Sequence, residues 1–260
     1  MTKRTVPVVT KLKKPLLFAL CLLPIAAIAG VFVSLYQLDV YSEEIVAQIM
    51  AEIGSRGALA AVGAAQSMGY ALICGFFGYI LADKLGLWKP VRLEKKKLLV
   101  TLTVSVVGGV VFSLDHWVFG SMLDGIQEAN AAGLTLSGVL ASVLYGGVIE
   151  EVLLRLFVMS LIAWIIRMVF CRKAAKEEIP EWVFVSANVL AAALFAAGHL
   201  PATSVTFGAL TPILLFRCFL LNGGFGLIFG RLYRKYGIIY AMVAHALFHV
   251  VCKSVWMAFI

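Results

Sequence analysis

The chain has 260 residues, 62% apolar and only 14% charged, with 22 Lys plus Arg against 14 Asp plus Glu and a net charge of +8. Soluble domains run at about 45–50% apolar and about 25% charged, so this chain cannot cover its apolar surface with its own charges. That excludes a disordered chain, a secreted disulfide scaffold and an ordinary cytosolic globule, and predicts one integral membrane domain over residues 1–260.

A membrane helix takes about 20 apolar residues. In chain order the sequence predicts seven spans, roughly 15–38, 58–82, 98–114, 136–166, 183–200, 207–230 and 236–252. The first follows a basic N-terminus (Lys3, Arg4, Lys11, Lys13, Lys14) and outruns a signal-peptide core, so it is read as retained. The fourth is too long for one perpendicular crossing at about 1.5 Å per residue through a core of about 30 Å, so it tilts, breaks or projects. The stretch after Lys253 is either a short eighth segment or an extension of the seventh. The expected fold is an all-α polytopic helix bundle. Five cysteines (Cys21, Cys74, Cys171, Cys218, Cys252) show no CxxC spacing, so neither a disulfide nor a cysteine metal site is expected.

The basic residues lie in short blocks between apolar runs, which is a membrane pattern and not a nucleic-acid one. They crowd the N-terminus, the 84–97 loop, the 167–176 region and the 231–235 turn, while 39–57, 115–135 and 201–206 are acidic or nearly uncharged. By the positive-inside rule the N-terminus is cytoplasmic. Gly226 and Gly230 form a small-xxx-small pair and predict a close helix contact.

Ionisable side chains inside a bilayer are costly and need a reason. Glu150 and Glu151 are the acidic residues that fall inside a predicted span, and Arg155 lies one turn beyond Glu151. Glu151 and Arg155 are i, i+4 and share a helix face, while Glu150 points about 100° away. His245 and His249 are also i, i+4, and His199 follows Phe195 by one turn. Two carboxylates, a guanidinium and three imidazoles on three helices can meet in one water-filled cavity. Each part has a plainer reading: a structural ion pair, satisfied core histidines, a weak two-His metal spacing. His116 falls in a loop and is assigned no role. Arg217, with no partner evident in the sequence, reads as a structural or lipid-headgroup contact. The same boundaries put Glu150 near mid-membrane and His199 near the outer end of the fifth span, a mismatch in depth unless that helix is displaced.

In order, the clusters are Glu150-Glu151-x-x-x-Arg155, Phe195-x-x-x-His199 and His245-x-x-x-His249. This resembles the CAAX protease and bacteriocin-processing family, the intramembrane endopeptidases related to the prenyl-protein protease Rce, with its EExxxR, FxxxH and HxxxN-type motifs on successive helices. The run Gly226 to Gly237 before the last motif is similar to the family's approach to its final histidine. The resemblance covers roughly 136–252, the motif-bearing core. One position departs from it: His249 stands where the family usually has Asn, sometimes Asp. A His there still donates a hydrogen bond, with a protonation state that would make activity pH-dependent.

The resemblance implies a peptidase that hydrolyses a bond in a membrane-associated peptide or protein. Glu150 would be the general base, His199 would hold the same water, Glu151 and Arg155 would orient the site, and His245 and His249 would face the scissile carbonyl. No cofactor is favoured, although the residue types permit zinc and members of the family are often called metalloproteases. The rival readings are a non-catalytic member acting as a membrane scaffold or bacteriocin-immunity protein, which the His249 departure favours, and a proton-coupled transporter, which ranks lower because the polar clusters fall in one half of the chain. The expected partners are a peptide or protein substrate in the membrane and the lipid bilayer, with no nucleic acid. Short loops point to a prokaryotic plasma membrane.

Overall fold

The computed structural model describes residues 8–260, with side chains from residue 12 onward. Lys3, Arg4 and the side chain of Lys11, counted above in the basic N-terminus, lie outside the described residues. Helix is the only regular structure among the described residues. Seven spans are long and apolar enough to cross a membrane: Leu12–Val40, Arg56–Leu85, Lys95–Val118, Leu136–Phe170, Glu181–Phe207, Pro212–Tyr236 and Ile238–Phe259. The all-α seven-helix bundle expected from hydropathy is the one observed.

The first span is α1 (Val8–Val40), followed by an exterior helix, α2 (Glu43–Ile53), and by α3 (Arg56–Leu85). Ser42 and Ser55 start α2 and α3 by accepting from the amides of Ile45 at 3.4 Å and Ala58 at 3.1 Å, each satisfying a donor the first helical turn leaves free. The third span joins α4 (Lys95–Ser113) to α5 (Asp115–Val118). A short α6 (Ile126–Ala132) precedes the fourth span, built from α7 (Leu136–Leu140), a π-helix π1 (Ala141–Met159) and α8 (Ser160–Phe170). A 3-10 turn (Lys176–Glu178) leads to α9 (Glu181–Gly198) and α10 (Leu200–Phe207), which make the fifth span. The sixth combines α11 (Pro212–Cys218), π2 (Phe219–Gly223) and α12 (Gly224–Tyr236), and α13 (Ile238–Phe259) is the seventh.

Two boundaries correct the hydropathy reading, and two features resolve what it left open. The stretch after Lys253 is not an eighth segment: α13 runs unbroken to Phe259. The sixth span begins at Pro212, not 207, because the chain breaks at Gly208, whose φ of 79° few side chains tolerate. The fifth span does not end at 200: the chain turns at His199 and continues through α10 to Phe207, so His199 lies within the span and the mismatch in depth disappears. The long fourth span is a π-helix through its middle. Its i→i+5 bonding puts more residues in each turn, so the chain climbs less per residue.

The packing brings π1 to the centre, against α3 on one side and α13 on the other, while α9 and α12 close a third side. The approach of α13 to π1 depends on Gly147: a Cβ there would lie 2.6 Å from the Ala246 Cβ and 2.9 Å from its amide nitrogen. Gly226 does the same for α12 against α9, where its Cβ would meet Ala192 at 3.2 Å, as the small-xxx-small pair predicts. The loops sort to two ends. At one, Lys89 Nζ donates to the carbonyls of Arg234 and Lys235, both at 2.7 Å, and Lys176 faces Asp83. At the other, Thr135 Oγ1 donates to Asp39 at 2.9 Å and Arg217 pairs with Asp115. The basic loops therefore share one end of the bundle, as the charge alternation implied.

Candidate active site

π1 and α13 supply most of the polar side chains at the centre of the bundle. Glu151 has no exposed surface, and its Oε1 accepts a hydrogen bond from His245 Nδ1 at 2.9 Å. Arg155 Nη1 approaches the same oxygen at 3.2 Å, without the alignment of a hydrogen bond. The guanidinium lies over the ring of Phe195 at 4.5 Å and near that of Phe229 at 5.8 Å, so aromatic faces serve as its second partner. Phe229 also stacks on the His245 imidazole at 4.4 Å. Glu151, Arg155 and His245 thus form a sealed unit in which carboxylate and aromatic ring fix both the tautomer and the plane of His245.

A second pair is open. The side chains of Glu150 and His199 keep 17% and 33% of their surface, against at most 4% for Glu151, Arg155 and His245. His199 Nδ1–H donates to the Phe195 carbonyl at 2.8 Å, and Nε2, on the other side of the ring, stands 3.9 Å from Glu150 Oε1. That gap suits one water held by both groups and is too long for a direct bond. His249 completes the constellation: its Nε2 faces the Nε2 of His245 at 3.1 Å. Since His245 has its hydrogen on Nδ1, a neutral pair requires the His249 Nε2–H to donate. Gly146 leaves the room between them, for a Cβ there would stand 3.0 Å from His249 Nε2 and 3.8 Å from Glu150 Oε2.

All six candidates from the sequence, Glu150, Glu151, Arg155, His199, His245 and His249, therefore meet at one place. Among the described residues no group of three or more His, Cys, Asp or Glu is placed to share one ion. Sequence reasoning missed three features. Gly146 and Gly147 were legible as a glycine pair one turn before Glu150. Lys253, treated as a boundary, is buried within α13 and donates to the Gly133 carbonyl at 2.8 Å. Arg217 does have a partner: Nε and Nη2 both reach Asp115 at 2.6 Å, and Asp115 is a buried residue at the end of the third span, not an open loop residue.

A bundle of seven membrane-crossing helices with an open carboxylate–imidazole pair over a sealed carboxylate–guanidinium–imidazole unit defines an intramembrane site equipped for proton transfer. Residues 131–251 match the family model described as Rce1-like, type II CAAX prenyl endopeptidase, so the second half of the chain is similar to that family. It is an integral membrane protein. No curated protein and no solved structure matches the chain.

Proposed function

We propose that the chain is an intramembrane endopeptidase that hydrolyses a peptide bond in a membrane-associated peptide or protein, using a water activated by Glu150. The observation that carries this reading is the 3.9 Å gap between Glu150 Oε1 and His199 Nε2, in the accessible part of a site whose other members are sealed. Glu150 takes a proton from the shared water as the oxygen attacks the scissile carbonyl carbon. His199 orients that water through Nε2, its tautomer held by the Phe195 carbonyl. The oxyanion forms beside His245 and His249; the Nε2–H of His249 donates to it, with Glu151 holding the His245 ring in place behind. Glu150 then returns the proton to the leaving amine as the carbon–nitrogen bond breaks. Loop charge supports an orientation with the basic end and the N-terminus facing the cytoplasm, and the short loops support a prokaryotic plasma membrane.

The test compares cells expressing wild type with cells expressing Glu150→Gln at equal levels and reads new peptide termini by mass spectrometry. Termini that vanish in the variant support proteolysis and identify the substrate. Identical termini, with both proteins folded in the membrane, would move the assignment to the non-catalytic scaffold or immunity protein, which the His249 departure favours.

A further inference from the structure

A groove of ≈360 Å³ lies between α9 and α12 at the basic end of the bundle, away from the open face of Glu150 and His199. Its walls are apolar and outward-facing: Val185 and Val189 are each 50% exposed, Leu227 and Ile228 each 40%. Its narrow inner edge is set by Asn188, whose Nδ2 donates to the Leu227 carbonyl at 2.9 Å and whose amide occupies the space a side chain at residue 230 would need.

The mouth of the groove has the opposite character. Arg231, Arg234 and Lys235 stand there with one acidic residue, Glu181. Arg234 is already committed, to Glu181 and to the Phe184 ring at 4.8 Å. Arg231 and Lys235 are exposed, and neither has a carboxylate within ion-pair distance among the described residues. The C-terminal carbonyls of α12 would ordinarily offset such charges. Here Lys89 Nζ caps two of them, on Arg234 and Lys235. Burial, and then the charges of Lys97 and Arg234, pull the Lys89 ammonium below the usual lysine value, a second sign that this end is electropositive.

We propose that this groove binds an anionic phospholipid, with an acyl chain along Val185, Val189, Leu227 and Ile228 and the phosphate between Arg231 and Lys235. Two free cations directly over an apolar, bilayer-facing slot match the amphipathic pattern of such a lipid. A free phosphate would leave the slot without an occupant.

The test is native mass spectrometry of the full-length protein titrated with equal amounts of phosphatidylglycerol and phosphatidylcholine. Wild type should retain phosphatidylglycerol preferentially. Arg231→Gln with Lys235→Gln should lower that preference by about tenfold. Leu227→Trp, which fills the slot and keeps the charges, should also reduce retention. Lys95→Gln with Lys96→Gln, exposed basic residues elsewhere at the same end, should leave it unchanged. An unchanged preference in the Arg231/Lys235 variant would overturn the proposal. So would an equal loss in the Lys95/Lys96 variant, which would signal diffuse surface charge. Full retention by Leu227→Trp, or displacement of the lipid by millimolar inorganic phosphate, would reduce the site to a phosphate contact and overturn it as well. Each variant is first checked for an unchanged thermal unfolding midpoint, and Leu227→Ala is the replacement should Leu227→Trp fail that check: widening the slot must then weaken retention.

Discussion

Among the described residues two carboxylate–guanidinium pairs have a fully buried carboxylate, and they are built in opposite ways. Asp115 and Arg217 meet through two parallel contacts of 2.6 Å, and Asn130 donates a third hydrogen bond to Asp115 at 3.1 Å. The partners are 102 residues apart, so the pair ties α5 to α11. Glu151 and Arg155 share one helix and one misaligned contact. Glu151 Oε2 and both terminal nitrogens of Arg155 make no hydrogen bond. An unsatisfied buried polar group costs about 1–3 kcal/mol, and such groups call for an explanation beyond stability. The first pair is saturated and holds helices together. The second keeps unused hydrogen-bonding capacity behind His245, where the proposed reaction develops charge.

Substitutions should separate the two. The largest effect belongs to neither pair but to the open carboxylate: Glu150→Gln should cut peptide cleavage by about 10²–10⁴-fold with an unchanged unfolding midpoint. Asp115→Asn should do the reverse. It strands Arg217 in an apolar setting, lowers stability by about 3–5 kcal/mol, and leaves the activity of the remaining folded protein intact. Thermal unfolding in detergent, read beside specific activity, checks both. Replacing the whole pair, Asp115→Leu with Arg217→Met, should recover stability to within about 1 kcal/mol of wild type. Glu151→Gln also strands a buried guanidinium, Arg155, and should lower stability too, but unlike Asp115→Asn it should cost the protein that remains folded about a hundredfold in activity, because His245 loses the carboxylate that fixes its tautomer. If folded Glu151→Gln protein cleaves like wild type, the distinction between the pairs fails.

His249 sharpens the same contrast at a smaller scale. Two Nε2 atoms at 3.1 Å hold together only while one proton lies between them. A second proton places two donors face to face and adds charge beside the site. Activity should therefore fall on acidification, and His249→Asn, which cannot take up that proton, should move the acid limb while cleaving at a comparable rate near neutrality. Superimposable pH profiles would remove His249 from the reacting surface.

How much of this was legible in the sequence depends on how local each feature is. Glu151 and Arg155 announce each other at i, i+4, and the three motifs stand out because so few charges enter the spans. Asp115 was hidden for the opposite reason: its partner is distant in the chain, and a lone acid beside a polar stretch reads as loop. The π-helical middle of the fourth span leaves no mark in hydropathy, since an apolar run looks the same at either pitch; the excess length of that span was its one trace. His199 was misplaced in depth because a bend and a helix end look alike when the next residues, Leu200 to Phe207, mix polar and apolar side chains.

Lys253 tests the comparison at its weakest point. It lies one turn beyond His249 on α13 and is 5% exposed, so by position it could belong to the site. By bonding it resembles the structural pair: Nζ donates to the Gly133 carbonyl at 2.8 Å and faces the rings of Trp256 at 5.3 Å and Tyr36 at 5.9 Å. Gly133 closes α6, so the contact fastens the 126–137 segment to the last span. Lys253→Met keeps most of the side-chain volume, removes one charge-assisted hydrogen bond and removes the cost of burying the charge. These terms oppose each other, and the net loss should be only about 1 kcal/mol. Cleavage by the folded protein should be unchanged, because no atom of Lys253 is hydrogen-bonded to the six site residues. A variant that unfolds like wild type yet cleaves far more slowly would make Lys253 part of the reacting site, and bonding saturation would then no longer tell structural charges from functional ones in this bundle.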